Sequence, residues 1–566
     1  MSSPAVNQPE SAQPRSLWIV SSWKDILLFI ATPFLVVPLL LRASGQWRNE
    51  DISYIVLTFG ALGHHAPGLM RAYGDRELFR KYRIRFIVAP IAGIMICYFF
   101  TVQTLTGVTL VLILWGIWHF WMQTYGFARI YDAKAGCFDS TTRRLDFALC
   151  ASVFMTAVLS SDDHLAKIVE LMYQSGVPAI SASVLVGVRV FGLVSTLIVT
   201  VWFLNNFLRL RRTGKPYSPI KLALMAVTSW LLWFALIYLN NVILGLAMLE
   251  VVHDIQYLTI VWVFNNNRVN KDQVGGFTRF LFRRSGAMIG LYIGLVIAYG
   301  SIRLVVDNVS SEALQRILLS VIATSNMLHF YYDGFIWKVR DAKTRASLGV
   351  NGGKASNTAM IAGWKHGLKW VVLGLILLFL GVRELSSKLS YRDIAEMVVE
   401  SVPNSPRAHT MLADELITEN VSYYGAIDHA QKAIELGSDS YLPYKVIGFA
   451  RGQMGQLEKS VASFQKSLEI NPDQVWTAYN LGNAVLELGR IDDAMNRFRT
   501  VLELDPERTV AHCYLSEGYK RLGDEEKSRL HRGLATKIDP EEVGKLLDLA
   551  REQFDRVLHR KRATEP

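Results

Sequence analysis

Charged residues are scarce in this chain. Only 19% of its 566 residues are Asp, Glu, Lys or Arg, whereas 51% are hydrophobic and the mean hydropathy is +0.23. This composition is too apolar for an ordinary soluble protein of this length, so much of the chain is predicted to lie in a membrane. The length itself predicts two or more structural units.

Cysteine and the common catalytic motifs are also rare or missing. The four cysteines show no CxxC spacing, which excludes a zinc knuckle and a disulfide framework: Cys97, Cys137, Cys150 and Cys513. The chain has no Walker motif, no GxGxxG fingerprint and no GxSxG elbow. The HxxxH and HxxHH boxes of membrane desaturases are absent as well.

Apolar runs dominate the first two thirds of the chain. A helix that spans a bilayer needs about 20 apolar residues. After a polar tail over residues 1–25, the sequence predicts an all-α polytopic transmembrane bundle over 26–385, with about eleven spans. The runs are 26–43, 52–70, 84–101, 104–127, 146–161, 186–207, 220–239, 243–264, 286–305, 314–336 and 367–384.

The basic residues predict the orientation of this bundle. They account for a net charge of +11 and cluster after the even-numbered runs, for example Arg209, Arg211 and Arg212 after the sixth. Cytoplasmic loops carry such excesses, so the N-terminus is predicted to be cytoplasmic and the chain after the last run periplasmic, in a bacterial inner membrane. Because topology accounts for the charge, no nucleic-acid partner is predicted.

Residues 405–540 show internal repetition with a spacing of 34 residues. The recurring markers are Pro472, Pro506, Pro540, Gly455, Gly489 and Gly523, and the clearest unit also has Leu481, Gly482, Ala494 and Phe498. This pattern resembles the tetratricopeptide repeat family, which implies an α-solenoid that binds a protein or peptide. Residues 386–404 are predicted to be a linker and 541–566 a capping helix with a basic tail. The repeats could also simply brace the membrane part.

Five histidines lie within the apolar runs: His64, His65, His119, His253 and His329. All of them fall in even-numbered runs, which cross the membrane in the same direction. They are therefore predicted to lie at similar depth, in the middle or the cytoplasmic half of the bilayer.

Carboxylates accompany these histidines at helical spacing. Glu250 shares a helix face with His253 and Asp254, and Asp333 lies four residues after His329. Carboxylates inside a membrane are costly unless they are paired or face a polar pocket. Imidazole with carboxylate suits iron, with zinc or copper as alternatives, so Glu250, Asp254 and Asp333 are predicted as ligands or catalytic partners.

Other roles for these residues stay open. Each histidine could form a hydrogen bond between helices, and the carboxylates could form a proton relay or an ion site in a transporter. Two histidines could also hold a haem.

Short motifs in the runs resemble those of the rhodopsin-associated bacterial β-carotene dioxygenases. They are Trp118-His119-Phe120, His253-Asp254 and His329-Phe330 with Asp333. The resemblance implies intramembrane histidines that hold non-haem iron. The present chain departs from that family in its number of runs, its repeats and the additional Glu250.

A second resemblance is to polytopic glycosyltransferases that use lipid-linked sugars and carry C-terminal tetratricopeptide repeats. It implies a carboxylate pair in the first outer loop, where Glu50 and Asp51 lie beside Arg48.

The preferred hypothesis is therefore a membrane-embedded, metal-dependent oxidoreductase or oxygenase, with iron as its metal. Its substrate would be a hydrophobic small molecule within the lipid bilayer, such as a polyene, an acyl chain or a quinone. The repeats would bind a protein partner. The alternatives are the envelope glycosyltransferase and a non-enzymatic scaffold or transporter component that presents the repeats.

Overall fold

The computed structural model describes residues 16–239, 241–270, 276–283, 285–337, 342–350 and 363–564. Within these ranges all regular structure is helical and no strand occurs. The chain divides into two compact units, Met1–Lys388 and Leu389–Pro566. Three predicted cytoplasmic cations, Lys271, Lys338 and Arg340, lie outside the described residues.

The N-terminal unit contains eighteen α-helices in its described part. Three π-helical segments interrupt them, at Ile26–Ile30, Val56–Leu62 and Phe234–Tyr238. The α-helices are α1 Ser22–Asp25, α2 Thr32–Ser44, α3 Asn49–Ile55, α4 His65–Gly74, α5 Arg76–Lys81, α6 Arg83–Val102, α7 Gly107–Ala135, α8 Ser140–Ser160, α9 Asp162–Gln174, α10 Ala182–Arg212, α11 Pro219–Trp233, α12 Val242–Asn270, α13 Gly276–Leu281, α14 Gly286–Gly300, α15 Ile302–Asn308, α16 Glu312–Ile336, α17 Ala342–Ser347 and α18 Gly363–Ser386.

Fewer helices than predicted are long and apolar enough to cross a membrane. Six pass this test within the described residues, or up to eight if each of two bent helix pairs counts as one span. The expectation of about eleven spans was therefore too high. Two predicted runs, 26–43 and 146–161, fall in the bent pairs, which bend by 46° and 88°. The run 52–70 is divided into α3, a π-helical segment and α4.

The outer surface of this unit is apolar. Helix α10 has 31 residues, of which only Leu185, Phe203, Asn206 and Leu210 are buried. Large side chains on it, such as Phe191 and Leu197, are 73% and 65% exposed. An exposed apolar surface of this extent needs a cover other than water.

A compact ion cluster ties three helices of the N-terminal unit together. Lys221 Nζ of α11 lies 2.9 Å from Asp132 Oδ2 of α7 and 2.9 Å from Asp146 Oδ1 of α8. Arg129 Nη1 reaches the same two carboxylates at 2.7 and 3.0 Å. The cations of Lys221 and Arg129 thus balance the carboxylates of Asp132 and Asp146, which are both fully buried.

Replacing Lys221 with Met should destabilise the N-terminal unit strongly. Two buried carboxylates would then share a single cation, and breaking a buried pair costs about 3–5 kcal/mol. Thermal unfolding of the detergent-solubilised chain measures this loss. As a control, Arg303→Met removes the exposed Arg303–Asp307 pair (3.3 Å) and should cost less than about 1 kcal/mol. Equal losses in the two variants would contradict a structural role for the ion cluster.

The C-terminal unit contains ten helices in its described part. They are α19 Tyr391–Ser401, α20 Pro406–Thr418, α21 Tyr423–Glu435, α22 Leu442–Gln453, α23 Leu457–Ile470, α24 Val475–Glu487, α25 Ile491–Leu504, α26 Thr509–Arg521, α27 Glu525–Ile538 and α28 Val543–Thr564. Helix α19 forms within the predicted linker 386–404, because Ser390 and Asp393 form a capping box at its start.

The repeat markers explain how these helices pair. Gly455, Gly489 and Gly523 adopt left-handed backbone angles, with φ between 73° and 79°, in the turn inside each pair. A Cβ on Gly482 would lie 2.8 Å from the Phe498 ring, so glycine is what allows α24 and α25 to pack closely. The helix pairing predicted from the 34-residue spacing is present.

Two histidine pairs join the helices of the first and the last repeat. His409 of α20 faces His429 of α21, and His512 of α26 faces His531 of α27. In both pairs the two Nδ1 atoms are 2.9 Å apart. Burial, with His512 and Arg499 nearby, lowers the pKa of His531 from 6.5 to about 4.

The C-terminal unit should lose stability as the pH falls from about 6.5 towards 4. In that interval unfolded chains bind a proton at His531 that the folded state does not bind, and this favours unfolding. Thermal unfolding between pH 7 and pH 4 measures the effect. A His531→Gln variant should show a smaller decline, and an identical decline would contradict the assignment to His531.

Candidate metal centre

The five histidines of the apolar runs converge in the interior of the N-terminal unit. His64 precedes α4, His65 begins it, and His119, His253 and His329 lie on α7, α12 and α16. Each is between 2% and 8% exposed. The centroids of neighbouring rings are 4.5 to 5.1 Å apart. The distance is 4.5 Å between His64 and His329 and 5.1 Å between His119 and His253.

His329 is at the middle of this cluster. Its Nε2 lies 3.0 Å from His64 Nε2 and 3.1 Å from His119 Nε2. In a neutral ring Nε2 has either one proton or one lone pair, so it can form a well-aligned hydrogen bond with only one of these two neighbours. Two nitrogens that each lie about 2.1 Å from one ion, at an angle of about 90°, are roughly 3.0 Å apart. The Nε2 of His329 is therefore close enough to each of the other two nitrogens to share a cation with it.

Three groups of residues offer ligand atoms that lie within 4.8 Å of one another. They are His64 with His253 and His329, His119 with His329 and Asp333, and His64 with Glu250 and Asp254. The ring atoms His253 Nδ1 and His329 Nδ1 are buried and have no hydrogen-bond partner among the described residues. Unpartnered buried nitrogens in such a cluster fit a bound metal or its other ligands.

A carboxylate orients His64. Its Nδ1 lies 2.6 Å from Asp254 Oδ1 and 3.7 Å from Glu250 Oε1. A carboxylate beside one ring nitrogen fixes the tautomer and leaves the lone pair on the other nitrogen, which here is the Nε2 that faces His329. Asp254 therefore fits a positioning residue, while Glu250 is a second carboxylate beside the same ring.

Asp333 is held by two aromatic residues. Its Oδ1 accepts hydrogen bonds from Tyr257 (3.1 Å) and from Trp337 Nε1 (2.9 Å), whereas its Oδ2 lies 3.9 Å from His329 Nε2. One carboxylate oxygen is thus fixed by the protein, and the other faces the histidines. Asp333 can act as a ligand or accept a proton at the centre.

The chain around His64 and His65 departs from a regular helix. The π-helical segment Val56–Leu62 ends just before Gly63, and α4 begins at His65. Interruptions of this kind often occur at functional sites. As a result both histidines face the interior: His64 contacts the other rings, and His65 stacks on His329 and lies 2.9 Å from Ser325 Oγ.

Two glycines leave space for the carboxylate of Asp254 and the hydroxyl group of Tyr257. A Cβ on Gly60 would lie 2.2 Å from Asp254 Oδ2, and one on Gly68 would lie 3.1 Å from the Tyr257 hydroxyl. Larger residues at these positions would move the groups that orient His64 and Asp333.

A buried cation lies two helical turns after His64. The guanidinium of Arg71 stacks between the rings of Phe264 and Trp337, at 4.0 and 3.9 Å from their centroids. Its Nε and Nη1 atoms have no hydrogen-bond partner among the described residues. These groups can bind an oxyanion or a carbonyl oxygen of a molecule at the centre.

The sequence predicted the histidines and carboxylates of this cluster but missed several of their supports. Tyr257, Ser325, Trp337 and Gly60 were not predicted to belong to the site. Two of them had a signal in the sequence, since Tyr257 lies four residues after His253 and Trp337 four residues after Asp333. Trp337, directly after α16, donates a hydrogen bond to Asp333.

Glu50 and Asp51, the carboxylates of the glycosyltransferase hypothesis, lie apart from the histidines in α3. Arg48 holds Asp51 through two hydrogen bonds of 2.8 Å. The two residues are three positions apart in the sequence, and both side chains are partly exposed to solvent.

Comparisons with known proteins identify the C-terminal unit. Family models described as TPR repeat and tetratricopeptide repeat match residues 448–489 and 477–508. No curated protein matches the chain significantly. The C-terminal unit therefore contains tetratricopeptide repeats, which suggest protein interaction.

Solved structures of repeat proteins are similar to this part of the chain. One is YrrB, whose title calls it a TPR protein with an unusual peptide-binding site. Its sequence is 19% identical, the match covers 33% of this chain and 88% of the YrrB chain, and the TM-score is 0.25. Another is MamA from Desulfovibrio magneticus, with 18% identity, coverage of 28% and 97%, and a TM-score of 0.23.

Replacing Gly60 with Ala should weaken metal binding without removing any ligand. The added methyl group would overlap Asp254 Oδ2 and move the carboxylate away from His64. Losing such an outer partner typically lowers metal affinity by about 10- to 100-fold. The affinity of the purified chain for Fe²⁺ measures this effect. Gly126→Ala is the control, because its methyl group would meet no atom within 4 Å. Equal affinity in both variants would contradict the role of Asp254.

Proposed function

We propose that the N-terminal unit is a membrane-embedded metal centre with oxidoreductase activity, and that its metal is non-haem iron. The observation that carries the proposal is the position of His329 Nε2, which lies 3.0 Å from His64 Nε2 and 3.1 Å from His119 Nε2 and belongs to two groups of possible metal ligands. Imidazole combined with carboxylate oxygen is the ligand mixture that suits iron in oxygenases.

Membrane insertion is part of this proposal. It is supported by the six long apolar helices and by the exposed apolar side chains of α10. The basic loop residues favour a cytoplasmic N-terminus, and hence periplasmic repeats, in a bacterial inner membrane. A centre enclosed by such helices is accessible to molecules dissolved in the bilayer, so the proposed substrate is lipid-soluble.

The residues around this centre would have different roles. His64, His119, His253 and His329 would hold the metal, with Asp333 as a further ligand or proton acceptor. Asp254 would orient His64, with Glu250 as a second carboxylate beside the same ring, and Tyr257 and Trp337 orient Asp333. Bound iron would supply the capacity to activate oxygen at its open positions. The Arg71 donors would orient an oxygen-bearing group of the substrate.

The geometry favours a single ion over a haem. A haem bound by two histidines places its macrocycle between the two rings, whereas the Nε2 atoms of His64 and His329 face each other at 3.0 Å. Zinc and copper accept the same nitrogen ligands, so the identity of the metal is decided by analysis of the purified protein.

The repeats have a separate role in this proposal. They would bind a protein partner and thereby recruit it to the membrane enzyme. The glycosyltransferase hypothesis is less well supported, because Glu50 and Asp51 lie in α3 and one of them is occupied by Arg48. A scaffold without catalysis would not need buried histidines and carboxylates in one cluster.

The test is metal analysis of the dialysed full-length protein. Wild type should retain close to one equivalent of iron, and His329→Ala should retain less than a tenth of that, because two of the nitrogen contacts involve His329. His164→Ala is the matched control, since His164 is also buried in this unit but contacts Ser161 instead of the cluster.

Three outcomes would contradict the proposal. Metal well below one equivalent in wild type would exclude the centre, and one equivalent of zinc that is lost in His329→Ala would exclude redox chemistry there. Cellular function that survives His329→Ala but is lost with Glu50→Gln and Asp51→Asn would favour sugar transfer.

A further inference from the structure

The two histidine pairs of the repeat unit occupy equivalent positions. His409 lies six residues after Pro403, and His512 lies six residues after Pro506. Their partners also correspond, because His429 follows Ala426 by three residues and His531 follows Ser528 by three. The first and the last repeat therefore carry the same arrangement.

The fold does not require these histidines. The positions that correspond to His512 and His531 are Ala478 and Arg497 in the third repeat, and Tyr444 and Ser463 in the second. Helices α24 and α25, like α22 and α23, pack as pairs with these other residues. The repeated pairs thus need an explanation besides helix packing.

Backbone carbonyls fix the protonation of one ring in each pair. His409 Nε2 lies 3.0 Å from the carbonyl oxygen of Pro403, and His512 Nε2 lies 3.1 Å from that of Pro506. A carbonyl oxygen only accepts, so Nε2 carries the hydrogen, and in a neutral ring the lone pair is then on Nδ1. In both pairs this Nδ1 lies 2.9 Å from the Nδ1 of the partner histidine, which can donate a hydrogen bond to it when no ion is bound.

We infer that the pairs His409–His429 and His512–His531 are binding sites for a divalent transition-metal ion such as Zn²⁺. An N–H donated to a backbone carbonyl is the outer contact that orients metal-ligating histidines. Two nitrogens bound to one tetrahedral Zn²⁺ at about 2.0–2.1 Å lie roughly 3.3–3.4 Å apart. The observed 2.9 Å must therefore widen by about 0.4–0.5 Å when the ion enters.

Each pair leaves room for further ligands. His409 and His512 are buried, whereas His429 and His531 are only partly buried. An ion between the rings would therefore remain accessible to water or to a side chain of a bound protein. Two protein ligands alone hold an ion weakly, so these sites would respond to metal concentration and would not keep the ion permanently.

The charges around the two pairs differ, which predicts unequal affinities. Asp428 and Glu396 act electrostatically on His429 and favour a cation there. Arg499 acts on His531 in the opposite direction. The His409–His429 pair should bind the ion more tightly than the His512–His531 pair.

Calorimetric titration of the full-length protein with zinc chloride at pH 7.5 tests this inference. Wild type should bind Zn²⁺ at both pairs, and His429→Gln should weaken the tighter of these events at least tenfold. His531→Gln should abolish the weaker event and leave the tighter one unchanged. The exposed His559, changed to Gln, is the control and should have no effect.

Several results would overturn the inference. Zinc binding that is unchanged in both His429→Gln and His531→Gln would show that the zinc binds elsewhere. If the only zinc-dependent heat came from the membrane centre, both repeat sites would be excluded. Circular dichroism checks that both variants fold. The membrane centre does not confuse the outcome, because its histidines are intact in His429→Gln and His531→Gln. A separate His329→Ala variant should leave zinc binding at both repeat sites unchanged.

Discussion

The N-terminal unit depends on one constraint: five buried imidazoles and three buried or partly buried carboxylates lie together among apolar helices. Burying one such polar group without a partner costs several kcal/mol, so the groups must compensate one another. The protein does this in part, through Asp254 beside His64 and through Tyr257 and Trp337 on Asp333. Neutral imidazoles cannot satisfy the remaining nitrogen contacts around His329, whereas a metal ion would.

The residues of this cluster stand out in the sequence because polar groups inside apolar runs are unfavourable in a membrane. A histidine or a carboxylate inside an apolar run is unusual, and helical spacing brings His329 and Asp333 to one face. The same reasoning could not decide between His64 and His65, because a regular helix turns about 100° per residue and would face only one of them inward. The π-helical segment before Gly63 allows both to be buried.

Counting spans from hydropathy was less successful. The runs near residues 30 and 60 are apolar enough, but the helices there are bent or broken, as in Val56–Leu62. Such breaks depend on tertiary contacts, for example the close approach of Gly60 to Asp254. Hydropathy along the sequence does not reveal these contacts. The repeats were predicted well for the opposite reason, since Gly489 and Gly523 have local roles that recur every 34 residues.

X-ray absorption at the edge of the bound metal tests the central claim most directly. It should be measured on full-length protein that carries His429→Gln and His531→Gln, so that only the membrane centre contributes. The account predicts nitrogen and oxygen ligands at about 2.0–2.2 Å together with outer-shell scattering from at least three imidazoles. Sulfur ligands, a porphyrin signature or a shell without imidazole would contradict it.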